Sequence, residues 1–157
     1  MDDEKKKFDL SYLIATFFAV GRLPRMPGTF GTMAGLGVYL LLYHIFPSRI
    51  VLGLITTAVY FAGVYVSHQV QKKMQEKDPS CVVIDEVAGI FITLLFIKEL
   101  TLFNILLAFC LFRIFDIFKI FPVNKCEDLP GGWGVMTDDV AAGIYSGIII
   151  SLIIWFL

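Results

Sequence analysis

The chain has 157 residues, of which 57% are hydrophobic and 17% charged, with a formal net charge of −1 and a mean hydropathy of +0.78. That balance is too apolar for an ordinary soluble domain and implies membrane-embedded segments, while the length suits one compact domain over residues 1–157. The near-neutral charge and the lack of a long basic run argue against a nucleic-acid partner. The three cysteines, Cys81, Cys110 and Cys126, are far apart and fit neither a zinc pattern nor a disulfide framework. His44 and His68 stand alone and read as packing or surface residues.

Residues 1–20 form a charged N-terminal segment followed by a short apolar run, Leu10 to Val20, which is too short to span and reads as an interfacial or half-buried helix. No small-residue cleavage pattern follows it. From Gly21 to Thr32, two prolines and three glycines exclude a regular helix on this reading. Backbone amides in such a loop can face an anion, and Thr29 and Thr32 add hydroxyls. Two apolar segments follow, Met33 to Phe46 and Ile50 to Ser67, with Pro47-Ser48-Arg49 as a tight hairpin between them. Gly31 and Gly35 are spaced to let helices pack closely. Residues 68–80 are polar and read as a solvated helix end and loop.

Asp85 and Glu86 then lie side by side within an apolar run from Val82 to Ile97, whose length favours a helix over a buried strand. Buried acids need a partner, and a divalent cation is the economical one. After the short turn at Lys98-Glu99, Leu100 to Lys119 reads as a helix ended by Pro122. Arg113, Asp116 and Lys119 are spaced i, i+3, i+6, which on a helix places them within an arc of roughly 120°. Charge inside an apolar helix is costly unless it is paired or functional. Residues 120–139 read as a loop ending in Asp138-Asp139, and Val140 to Leu157 as a last apolar span. A guanidinium, an ammonium and several carboxylates suit a phosphate held with a divalent cation.

About five membrane-embedded helices are therefore expected in an all-α, multi-pass chain. If residues 1–32 are cytoplasmic, five crossings place Lys5, Lys6, Lys7, Arg22, Arg25, Lys72, Lys73, Lys77, Arg113, Lys119 and Lys125 on that side. Only Arg49 and Lys98 fall outside, so eleven of the 13 cations are inside, as the positive-inside rule expects. The same orientation gathers all the polar motifs at one membrane face.

Three blocks resemble the phosphatidylglycerophosphatase A family: Pro24 to Thr32, Val83-Ile84-Asp85-Glu86-Val87-Ala88-Gly89, and Phe112-Arg113-Ile114-Phe115-Asp116 through Lys119 to Gly131-Gly132-Trp133-Gly134-Val135-Met136-Thr137-Asp138-Asp139-Val140-Ala141-Ala142-Gly143. They follow the family's order. Ile120 departs from it, where the family often has proline. The resemblance implies a multi-pass enzyme of the inner (cytoplasmic) membrane with its active site facing the cytoplasm. It also implies a Mg²⁺-dependent enzyme that removes the terminal phosphate of phosphatidylglycerophosphate, giving phosphatidylglycerol and inorganic phosphate in phospholipid biosynthesis.

On this reading Asp85, Glu86, Asp138 and Asp139 hold one or two Mg²⁺. Arg113 clamps the phosphoryl group and Lys119 adds a point charge, with Thr29 and Thr32 close to the phosphate. Asp85, Asp116, Arg113 and Lys119 are the catalytic candidates. Asp116 orients Arg113, binds metal, or serves as base or nucleophile, with a metal-activated water as the default nucleophile. A small transporter with intramembrane acids is one competing class, but no internal repeat supports it. A CDP-alcohol phosphotransferase is another, but its single-helix run of spaced aspartates is absent.

The charge asymmetry gives a test of topology. Cysteines introduced at Ser48 and Asp128 should react with an impermeant thiol reagent from opposite sides of the membrane; reaction of both from one side rejects the five-crossing map.

Overall fold

A computed structural model describes residues 9–121 and 123–156, and their regular structure is entirely helical. The expected roles of Lys5, Lys6 and Lys7, of Pro122 as a helix stop, and of Leu157 lie outside the described residues. The helices are α1 (Leu10–Ala15), a 3₁₀ turn (Val20–Arg22), α2 (Pro27–Ile45), α3 (Arg49–Met74), α4 (Ile84–Leu95), α5 (Leu102–Phe118), α6 (Val123–Cys126) and α7 (Gly132–Phe156).

The bundle is arranged around its shortest major helix. α4 has 12 residues, and nine of them, including Asp85, Val87, Ile90, Phe91 and Leu94, are buried. α2, α3, α5 and α7 all pack on it, while α7 also packs on α3 and α5. The outer helices turn apolar side chains outward: Met33 and Leu41 on α2, Leu54 and Tyr65 on α3, Ile148 and Leu152 on α7 are all exposed. An exposed apolar belt of this kind suits lipid rather than water.

Five principal helices are present, but they do not make five equivalent spans. Among the described residues only α2, α3 and α7, of 19, 26 and 25 residues, are both long and apolar enough to cross a bilayer. At about 1.5 Å per residue, α4 rises only ~18 Å against a hydrocarbon core of ~30 Å. It is wrapped by protein instead. The chain nevertheless alternates direction through the bundle. The starts of α2, α4 and α7 and the end of α5 meet around one cavity, together with the loop after α3.

Three local expectations are corrected. The Gly21–Thr32 segment is not loop throughout, because α2 begins at Pro27. Proline is well placed in a first helical turn, where its missing N–H would be unbonded anyway. Asp138 and Asp139 are not loop residues either; they lie within α7, which starts at Gly132 just after Gly131 at φ +61°. Lastly, α2 and α3 are joined by only three residues but scarcely touch, so the expected hairpin is splayed. Both helices instead pack on α4. The Leu10–Val20 run is shorter as a helix than expected and half-buried: Asp9 caps α1 by accepting from the Tyr12 N–H at 3.0 Å, and Ala15 is fully buried.

α4 and α7 come into direct backbone contact. A Cβ built on Gly143 would lie 2.5 Å from the Gly89 carbonyl oxygen, and one built on Gly89 would lie 2.9 Å from the Asp139 carbonyl oxygen. Only glycine permits that approach. The Thr93 hydroxyl donates to Gly89 O at 3.0 Å and lies 3.3 Å from Gly143 O, on the same seam.

Gly143→Leu should therefore force α4 and α7 apart and destabilise the bundle by roughly 1–3 kcal/mol or more. Gly37, which has open space around it, is the contrast: Gly37→Ala should be neutral or stabilising by up to ~1 kcal/mol. Thermal unfolding of both variants in detergent checks this, and equal melting temperatures would remove the seam's structural role.

Candidate functional site

Three helix ends supply the charged groups. The first turn of α4 carries Asp85 and Glu86, and the second turn of α7 carries Asp138 and Asp139. Gly89 lies one turn beyond Asp85, and Gly143 one turn beyond Asp139. The glycine seam thus sets the two acid pairs face to face. The last two turns of α5 contribute Arg113 and Asp116, and Lys119 follows them in the left-handed region at φ 42°. That conformation is uncommon for a non-glycine residue and ends the helix while turning Lys119 toward α7.

These side chains line one cavity of about 340 Å³, together with Met26, Pro27 and Gly28 at the start of α2 and Asp78 to Ser80 before α4. Arg113 Nη1 lies 2.6 Å from Asp116 Oδ2, 3.9 Å from Glu86 Oε1 and 3.3 Å from Thr32 Oγ1. Its Nε is buried with no hydrogen-bond partner among the described residues. One edge of the guanidinium is thus held by protein while Nε remains to be satisfied. Lys119 Nζ donates to Asp138 Oδ2 at 2.8 Å and also pairs with Glu127. Burial disfavours the ammonium charge, but the bonds to Asp138 and Glu127 outweigh it and hold the Lys119 pKa above its ordinary value.

The carboxylates are in excess. Asp78, Asp85, Glu86, Asp116, Asp138 and Asp139 face only Arg113 and Lys119 as cavity-lining cations. One oxygen each from Asp85, Glu86 and Asp139 lies within 4.8 Å of the other two. Glu86 Oε2, Asp138 Oδ1 and Asp139 Oδ2 are buried without hydrogen-bond partners among the described residues. Buried oxygen anions so close together repel unless a cation or protons sit among them. An all-oxygen donor set with orphaned atoms fits a hard divalent cation such as Mg²⁺. The residues present therefore fit the metal that the sequence suggested.

Most of the residues expected from sequence meet here, but not all in the same way. Asp85, Glu86 and Asp139 form the close acid cluster; Asp138 stands beside it, bound to Lys119. Thr32 is fully buried, donates to Gly28 O at 2.9 Å and accepts from Arg113, so it touches the clamp rather than the cavity. Thr29 lies in the first turns of α2 and does not line the cavity.

Two contributors escaped the sequence reading. Glu127, in the segment read as loop, pairs with Lys119. Gly28 leaves the room occupied by the Glu86 carboxylate: a Cβ there would collide with Oε1 and lie 3.3 Å from Arg113 Nη1. The G-T-F-G run was a signal for close approach, although it was read as an anion loop. Nothing in the local sequence marks Glu127.

Comparison with known proteins identifies the family. The family profile described as phosphatidylglycerophosphatase A matches residues 13–154. A Bacteroides thetaiotaomicron protein, provisionally named a phosphatidylinositol-3-phosphatase, is 38% identical over 96% of this chain and 98% of its own length. The Haemophilus influenzae phosphatidylglycerophosphatase A is 36% identical over 88% of this chain and 85% of its own. The Escherichia coli phosphatidylglycerophosphatase A is 31% identical over 86% and 78%. No solved structure matches significantly. A match across nearly the whole chain, including every block that lines the cavity, places this membrane protein in the phosphatidylglycerophosphatase A family of phosphatases.

Proposed function

We propose that this chain hydrolyses the terminal phosphate of phosphatidylglycerophosphate, at a Mg²⁺-dependent site at the cytoplasmic edge of the inner membrane, as one step of phosphatidylglycerol synthesis. The observation that carries this reading is the convergence of six carboxylates with Arg113 and Lys119 in one cavity at an end of an apolar bundle. Family membership supports the choice of substrate. The single-domain reading of residues 1–157 goes with it.

Asp85, Glu86 and Asp139 are the residues that would hold Mg²⁺, with Asp138 adjacent. The bound ion would draw charge from phosphate oxygens and make a neighbouring water more acidic. Arg113 binds the phosphoryl group through the Nε edge that protein leaves unmet. Asp116, on Nη1, orients that guanidinium and fixes its rotamer. Lys119, held by Asp138 and Glu127, supplies a second positive charge at the cavity wall. Phosphate monoesters hydrolyse extremely slowly in water, so the site must stabilise charge that develops in the transition state. The name of the Bacteroides relative motivates one competing substrate class, inositol lipid phosphates.

Three expectations follow from this assignment. Chelation should abolish phosphate release by the purified protein and Mg²⁺ should restore it, while Asp139→Asn stays folded but inactive; full activity in excess chelator rejects the cation. Arg113→Lys keeps the charge but loses the planar fork. It should cost about 10²–10³ in turnover, or ~2.7–4 kcal/mol, read by steady-state kinetics. Near-normal turnover would make Arg113 a structural partner of Asp116 alone. The reading as a whole is tested by kcat/KM in mixed micelles: phosphatidylglycerophosphate should far exceed water-soluble glycerol 3-phosphate, because remote acyl contacts feed into turnover as well as binding. Equal values would leave a general phosphomonoesterase.

A further inference from the structure

The outer helices do not close a complete ring around α4. α3, α7 and α5 pack in succession, but α2 packs on α4 while scarcely touching α3 or α5. Two gaps result. The first, between α2 and α3, is bridged by the N-terminal segment: α1 packs on α3 and the 3₁₀ turn packs on α2. Val83 N–H also donates to Ala15 O at 2.9 Å, and Lys73 pairs with Asp9, so this bridge is tied down at both sides. The second gap, between α2 and α5, has no such cover among the described residues.

The second gap is also the one that meets the charged cavity. Its upper end is lined by Met26, Pro27 and Gly28 from α2 and by Arg113 and Ile117 from α5. Arg113 reaches Thr32 of α2, which fixes the side of α5 that looks toward α2. Leu106, Cys110, Arg113 and Ile117 are spaced i, i+4, i+7, i+11 and so share that side. Leu106 is 55% exposed, Ile117 is 61% exposed and Cys110 is exposed, on the side of α5 that Arg113 turns toward α2. From Ile117 to Leu106 the stripe rises about 16 Å, close to half of a ~30 Å hydrocarbon core.

We infer that the cleft between α2 and α5, floored by α4, is the lateral path by which the acyl chains of a glycerophospholipid reach this cavity from the bilayer. This rests on the lipid-phosphatase reading above and specifies its substrate route. An amphiphile with an anionic head and apolar chains matches the cleft's chemistry along its length: Arg113 and Lys119 at the head end, Leu106 and Cys110 deeper. A water-soluble phosphate would need none of the apolar stripe. Chains held in the cleft keep the lipid in the membrane while its head group enters among the carboxylates.

The test compares dioleoyl phosphatidylglycerophosphate with its deacylated, water-soluble head group in detergent micelles. Leu106→Asp and Cys110→Asp should lower the ratio of kcat/KM for lipid over head group at least tenfold. Phe61→Asp, on the exposed face of α3 against Trp133, should leave that ratio unchanged. Should the cleft variants fail to fold, the native thiol decides. In a chain carrying Cys81→Ala and Cys126→Ala, maleimide labelling of Cys110 should be slowed by dioleoyl phosphatidylglycerol but not by the soluble head group. An unchanged ratio in folded variants, or labelling indifferent to lipid, overturns the cleft and leaves the phosphatase reading standing. A wild-type chain that hydrolyses neither compound overturns both.

Discussion

The backbone contact between Gly89 and Gly143 governs where the charge of this protein goes. It brings α4 and α7 to a separation that no side chain would allow. Each glycine lies about one turn from an acidic pair on its own helix. Closing the seam therefore presses Asp85 and Glu86 against Asp138 and Asp139. Packing and electrostatics oppose each other here: the apolar contacts of α4 with its neighbours are gained only by burying like charges together. In a low-dielectric surrounding that repulsion is severe unless counter-charge enters. Arg113 and Lys119 supply part of it from the end of α5. The proposed divalent cation would supply the remainder.

The same constraint explains the unusual place of α4. A 12-residue helix cannot expose itself to lipid along its whole length and still satisfy its ends. Wrapped by four longer helices, it need not. Its N-terminus opens into the cavity, where the unbonded N–H groups and the positive end of the helix dipole favour negative charge. Asp85 uses one of these directly, accepting from the Glu86 N–H at 3.0 Å. Shortness, burial and acidity in α4 are thus connected: the helix ends where the site begins.

Much of this was legible in the sequence, and the failures have physical causes. The helical class and the apolar passes could be read from long hydrophobic runs. The spacing of Arg113, Asp116 and Lys119 placed them on one face, and all three do line the cavity. What misled was glycine. Gly28, and later Gly132 and Gly134, read as loop formers in the sequence, although in this fold they are helical positions where another chain segment comes close. Composition alone does not distinguish a glycine that bends the backbone from one that admits a neighbour. The number of full spans does not follow from hydropathy, which reports burial in protein and burial in lipid alike. α4 is apolar for the first reason. Glu127 was not readable at all, because its pairing with Lys119 depends on the left-handed turn after α5 and on α6, neither of which has a periodic signal.

Direct cation binding tests the central claim most closely, because it does not depend on finding the right substrate. Mn²⁺ can be titrated into the purified protein in detergent and followed by electron paramagnetic resonance, with Mg²⁺ as competitor. Saturable binding is expected, reversed by Mg²⁺ and lost in a folded chain carrying both Asp85→Asn and Asp139→Asn. Saturable binding that survives both substitutions, or none at all in the folded wild-type chain, would contradict the view that the glycine seam assembles these acids around a metal ion.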